Sequence, residues 1–138
     1  MDVSQLLRRY PVTGTTSLLA IAASLAWWSG RSIEPFTMSY GVWSGQFWRP
    51  LTCTFPHVNP LHLAFNLYWL WRFGSRIEGV YGSLRTLALY LFLAVGSSLA
   101  EYDFGGLGVG LSGVGYGLFG FLWVLSSRDL RFRGLVDQ

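Results

Sequence analysis

Four long apolar stretches in a chain of only 138 residues decide which solvent it can fold in. They run over Val12–Trp28, Leu61–Phe73, Ser83–Ala100 and Leu111–Ser127. A helix needs about 20 residues, and at the least about 17, to cross a hydrocarbon core. The first and third stretches reach that length as they stand. The second reaches it by running on toward Glu78, with Arg72 and Arg76 extending their charged heads to the interface. At 51% hydrophobic and 12% charged, the chain falls outside the composition of an ordinary soluble domain. The expected fold is all-α, a polytopic membrane helix bundle with about four transmembrane helices, forming a single domain over residues 1–138. The first stretch ends in Trp27-Trp28 without a small-residue cleavage signal, so it reads as a retained anchor and not a signal peptide.

Charge placement orients such a bundle. All ten basic residues are arginine. Arg8 and Arg9 precede the first stretch, Arg72, Arg76 and Arg85 flank the tight turn between the second and third, and Arg128, Arg131 and Arg133 follow the fourth. Alternating helices put those eight on one side, leaving Arg31 and Arg49 with Glu34, Glu101 and Asp103 on the other. The positive-inside rule makes the N-terminus cytoplasmic, and the expected location is the plasma (inner) membrane. The first outer loop, Gly30–Pro60, carries Phe36, Tyr40, Trp43, Phe47, Trp48 and Phe55, rings that favour the headgroup region. Cys53 is the only cysteine, so no internal disulfide forms, and no His/Cys cluster suggests a metal. No cofactor and no nucleic-acid partner is expected. The lipid bilayer is the expected surrounding.

The stretch GVGLSGVGYGLFG, Gly108–Gly120, admits three readings. Gly108, Gly110 and Gly113 spell G-x-G-x-x-G, but a dinucleotide site needs a preceding strand and an acidic residue about 20 positions later. A membrane segment precedes these glycines, and the chain is nearly finished. The hydrolase elbow G-x-S-x-G fails because Val114 occupies its last glycine position. A packing role survives, since Gly113, Gly117 and Gly120 give the fourth helix a smooth side. Ser112 and Tyr116 lie on an adjacent face, so a serine nucleophile is compatible with that packing.

His62 and Asn66 stand four residues apart in NPLHLAFNLYWLW and share one helix face. Polar side chains at such depth face a bundle interior or a water-filled cavity. Spacing alone leaves interhelical hydrogen bonding and a functional site equally open. Topology puts Ser112 near the same outer depth. From Ser112 to Arg128 the fourth helix is roughly 24 Å long, short of the ~30 Å hydrocarbon core. The helix therefore starts below the outer surface, and the glycine loop before it dips into the membrane beside protein or a water cavity. Free N–H groups at that helix start would favour a developing oxyanion.

HVNPLHLAFNLYWLWRFGSRIEGVYG followed by GLSGVGYGLFG resembles the rhomboid family of intramembrane serine proteases, and GQFWRPLTCTF resembles the Trp-Arg stretch of that family's first outer loop, here Trp48-Arg49. The resemblance runs over about 45–127. It implies a Ser/His dyad endopeptidase that cleaves transmembrane protein substrates. By the same resemblance Ser112 is the nucleophile, within a Gly110–Gly113 motif, His62 and Asn66 stabilise the oxyanion, Tyr116 packs against the catalytic histidine, and Glu78 and Arg49 are structural. The family's general base is a histidine on a later helix in an Ala-His-x-x-Gly-like setting. The two histidines here, His57 and His62, do not match it. The expectation is thus a rhomboid domain incomplete at its C-terminus, with four of six helices present and the base histidine not in this chain. The alternative is a non-catalytic rhomboid-like protein that binds transmembrane segments. A binder, however, has no chemical need for serine, histidine and asparagine at one depth.

Overall fold

A computed structural model describes residues 3–106 and 108–132, all of whose regular structure is helical. A short helix α1 (Val3–Arg9) leads into α2 (Pro11–Trp28). The first loop then makes two 3-10 turns (Glu34–Phe36 and Tyr40–Ser44) and a four-residue helix α3 (Arg49–Thr52). Next come α4 (Pro60–Trp69), a π turn over Leu70–Gly74 and α5 (Ser75–Tyr81), followed by α6 (Ser83–Asp103) and α7 (Ser112–Ser126). A 3-10 turn, Leu130–Phe132, follows. Arg133, counted above among the cytoplasmic arginines, lies outside the described residues.

Local chemistry sets these boundaries. Pro11 and Pro60 sit at the first positions of α2 and α4, where a missing N–H costs no helical bond. Asn59 caps α4, its Oδ1 accepting the His62 N–H at 2.8 Å. Gly82, at φ +79°, turns the chain between α5 and α6 in a conformation that only glycine adopts readily. The second apolar stretch runs longer than its hydropathy suggests, because α5 carries it through Glu78 to Tyr81.

The packing of α2 is inverted relative to a helix of a water-soluble bundle, whereas α7 buries Val114, Leu118 and Leu122. On α2 the buried face is Thr13, Ser17, Ala20 and Ser24, at helical spacing, while Leu18, Leu19 and Leu25 are exposed. Leu84 and Phe92 on α6 and Trp123 and Val124 on α7 also face outward. Small residues between helices and large apolar ones outside suit a bundle whose surroundings are lipid. Among the described residues, α6 alone is both long and apolar enough to cross a membrane by itself. The glycines of α7 bring it close to α6: a Cβ at Gly113 would meet Ser97, and one at Gly117 would meet Leu93. Gly120 differs from expectation. No atom lies within 4 Å of a Cβ there, so only the first two glycines make the smooth contact.

Glu78 ties α5 to the start of α2 at one end of the bundle. Its carboxylate is 3% exposed and accepts the Val12 N–H (2.9 Å), the Thr13 N–H (3.0 Å) and the Thr13 hydroxyl (2.8 Å). A side chain of α5 thereby satisfies the orphan donors at the start of α2. Glu78→Gln keeps the shape but turns a donor toward those donors. We expect it to cost about 2–4 kcal/mol of stability. Reversible unfolding in detergent measures this, and an unchanged stability would contradict the capping role.

Candidate active site

The site is assembled from the first residues of α7, the first turns of α4 and the loop between α3 and α4. Ser112 opens α7, and the first bond of that helix is Gly115 N–H to Leu111 C=O at 2.8 Å. The N–H groups of Ser112, Gly113 and Val114 precede it, at the positive end of the helix dipole. At 15 residues α7 is roughly 22 Å long, shorter than a hydrocarbon core.

Two backbone contacts hold the loop before Ser112. Gly110 N–H donates to Cys53 C=O at 3.0 Å, and Leu111 N–H donates to His57 Nε2 at 3.2 Å. Gly110 has φ +109°, and a Cβ on it would stand 3.0 Å from His62 Cε1 and 3.1 Å from His57 Cδ2. Backbone conformation and space both demand glycine there.

His57 is fully buried. Its Nδ1 lies 2.8 Å from Phe55 C=O, to which it donates, leaving Nε2 as the acceptor for Leu111. Its own N–H donates to Ser24 Oγ at 3.0 Å, and its C=O accepts from Trp28 Nε1 at 2.9 Å. Burial draws its titration down to about 4; the Phe55 carbonyl opposes this, and neighbouring His62 adds to it. No periodicity in the sequence marks His57 as a positioning group. Its only sequence signal is its place between Pro56 and Pro60, five residues before His62.

His62, Asn66, Ser112 and Tyr116 line one cavity of about 410 Å³, closed by Phe65, Trp69 and Phe73 among others. The fold thus brings the four side chains singled out by sequence to one place. His62 rests edge-on against His57, ring centroids 5.0 Å apart. Asn66 is buried and donates one amide hydrogen to His62 C=O at 3.0 Å, so the amide's second hydrogen remains for another acceptor. Tyr116 is 76% exposed, one helical turn beyond Ser112 on the open side of the cavity. Gly113 does not line it and faces α6 instead. A serine hydroxyl, free helix-start N–H groups, an imidazole and an amide around one apolar cavity suit nucleophilic attack with oxyanion stabilisation.

Because His57 is held neutral in the fold, the unfolded chain binds a proton that the folded one does not between pH 6.5 and about 4. Its contribution to stability is complete above pH 6.5 and falls as the pH drops through that window. His57→Asn should flatten this part of the stability–pH profile. An identical profile for the variant would contradict the buried neutral imidazole.

A family model described as the rhomboid domain matches residues 44–134. The chain is similar to proteins named rhomboid protease GlpG from Yersinia pestis (strain Pestoides F) and from Yersinia pseudotuberculosis serotype O:3 (strain YPIII). Each is 34% identical over 114 residues, covering 82% of this chain and 37% of the relative. The chain therefore spans little more than a third of the length of these curated relatives. It belongs to the rhomboid family.

Proposed function

We propose that this rhomboid-family chain carries the nucleophile and oxyanion site of an intramembrane serine endopeptidase that cleaves transmembrane protein substrates. The observation that carries the reading is the shared cavity of Ser112, His62 and Asn66 at the start of the short helix α7. Relatives named as rhomboid proteases support the same activity class. In this reading residues 1–138 form one membrane domain with four crossings: α2, the α4–α5 unit, α6 and α7. The N-terminus is cytoplasmic, in the plasma (inner) membrane. The inward Ser/Thr face of α2 supports the membrane setting, and the arginines at one end of the bundle support that orientation.

The chemistry follows from the positions. Ser112 Oγ attacks the scissile carbonyl carbon while its proton passes to a general base. The oxyanion then accepts from the Ser112 backbone N–H, from His62 and from the amide hydrogen that Asn66 does not give to His62 C=O. Of the two histidines, His57 has both ring nitrogens engaged, one with Phe55 C=O and one with Leu111 N–H. Using His62 as the base would withdraw a donor from the oxyanion. The base in this reading is the later-helix histidine that the rhomboid resemblance implies, outside these 138 residues, which completes a Ser/His dyad. Apolar rings line the cavity beside these donors.

In the complete protein, Ser112→Ala should abolish cleavage of a model transmembrane substrate in detergent or vesicles. His62→Ala and Asn66→Ala should each lower the rate about 10²–10³-fold. Undiminished cleavage by Ser112→Ala would overturn the assignment.

A further inference from the structure

A second groove lies on the opposite side of α4 from the catalytic cavity, between α2 and the α4–α5 unit. Its volume is about 540 Å³. Its character changes along its length: Ile21, Ala64 and Leu67 line one end, and Arg72 and Arg76 line the other. The two arginines stand four residues apart on one helical face. Trp71 lies beside them, edge-on to Tyr10, over whose ring Arg9 places its guanidinium at 5.4 Å.

The hydrogen-bonding inventory of the groove narrows its ligand. Ser17, Ser75 and Tyr68 also line it; the two serine hydroxyls donate to Thr13 C=O (2.8 Å) and Trp71 C=O (2.5 Å), and the Tyr68 hydroxyl has no hydrogen-bond partner among the described residues. Neither Arg72 nor Arg76 has an ion pair, a hydrogen bond or a ring contact among the described residues. Buried Arg49, by contrast, is fully engaged by Gln46, Glu34 and Thr37. Half-buried Arg72 and exposed Arg76 therefore present positive charge to the groove with no ion-pair partner among the described residues. The complement of such a groove is a molecule with an anionic, acceptor-rich head and an apolar tail. At a helix end facing the cytoplasmic leaflet, the bilayer itself supplies that molecule.

We propose that this groove binds an anionic phospholipid, its phosphate bridged by Arg72 and Arg76 and one acyl chain lying along Ile21, Ala64 and Leu67. Arginine suits the role because its planar fork meets phosphate oxygens two at a time. The bound lipid would brace α2 against α4, the helix that carries His62 and Asn66. The inference rests on the chain lying in a bilayer and is independent of the proteolytic chemistry.

The test reconstitutes the full-length protein in vesicles of equal phosphatidylglycerol and phosphatidylcholine, extracts it in mild detergent, and counts retained lipids by native mass spectrometry. The wild type should retain phosphatidylglycerol over phosphatidylcholine about 10-fold. Arg72→Gln/Arg76→Gln should bring the two within about twofold of each other, while Arg85→Gln, an exposed arginine outside the groove, should leave the preference intact. Ala64→Phe should lower phosphatidylglycerol retention without any change of charge, which keeps the proposal testable if the double variant folds poorly. A preference that survives Arg72→Gln/Arg76→Gln would overturn the site. So would an equal loss in Arg85→Gln, which would signify diffuse surface potential. Displacement of the lipid by inorganic phosphate alone would overturn the lipid assignment in favour of a simple anion site.

Discussion

The three hydrogen bonds that the Glu78 carboxylate accepts from Val12 and Thr13 set the geometry on which the rest of the bundle is built. Backbone donors at a helix start need acceptors, and in apolar surroundings water does not supply them. Glu78 supplies one carboxylate for several donors. Thr13 extends the junction, its hydroxyl standing 3.2 Å from Tyr90 Oη on α6. Gly74 closes it, because a Cβ at that position would occupy the place of the Tyr90 hydroxyl. Three helices are thereby fixed at one point by one carboxylate, one threonine, one tyrosine and one missing side chain.

From that junction α2 carries the registration across the bundle to the candidate active site. Its far end presents Ser24 and Trp28, which hold the N–H and the C=O of His57. His57 Nε2 in turn holds Leu111 N–H, one residue before Ser112. The position of Ser112, the nucleophile proposed above, thus depends on a chain of contacts running from Glu78 through α2 and the buried His57 to the backbone at Leu111. Polar groups that would be costly alone in an apolar interior are each engaged along this line. The cavity lined by His62, Asn66 and Ser112 and the arginine-lined groove lie on different sides of α4 and share no lining residue.

Much of this was legible in the sequence where one helix face or one short motif carries the information. The apolar stretches locate α2, α6 and α7 to within a few residues, and the four-residue spacing of His62 and Asn66 places both on one face of α4. Gly113 and Gly117 meet α6 as a small-residue face should. Contacts between distant segments were not legible. The first loop reads as a string of aromatic residues, yet its shape comes from Arg49 reaching the carbonyls of Glu34 and Thr37, more than ten positions away. The π turn at Leu70–Gly74 arises where Gly74 must approach Tyr90, a partner that helical periodicity does not reveal. His57 carries no periodic signal because its role is set by Ser24, Trp28 and Leu111, residues of two other elements. The role of Gly110 became clear only with the two imidazoles in place beside it.

The central claim is that Ser112 is held at the start of α7 as an activated nucleophile. Fluorophosphonate labelling of the complete protein in detergent, followed by peptide mapping, tests it most directly. Modification confined to Ser112, and lost when the fold is denatured before labelling, is the result this account predicts. Labelling at another serine, or none at Ser112 in folded and active protein, would contradict it.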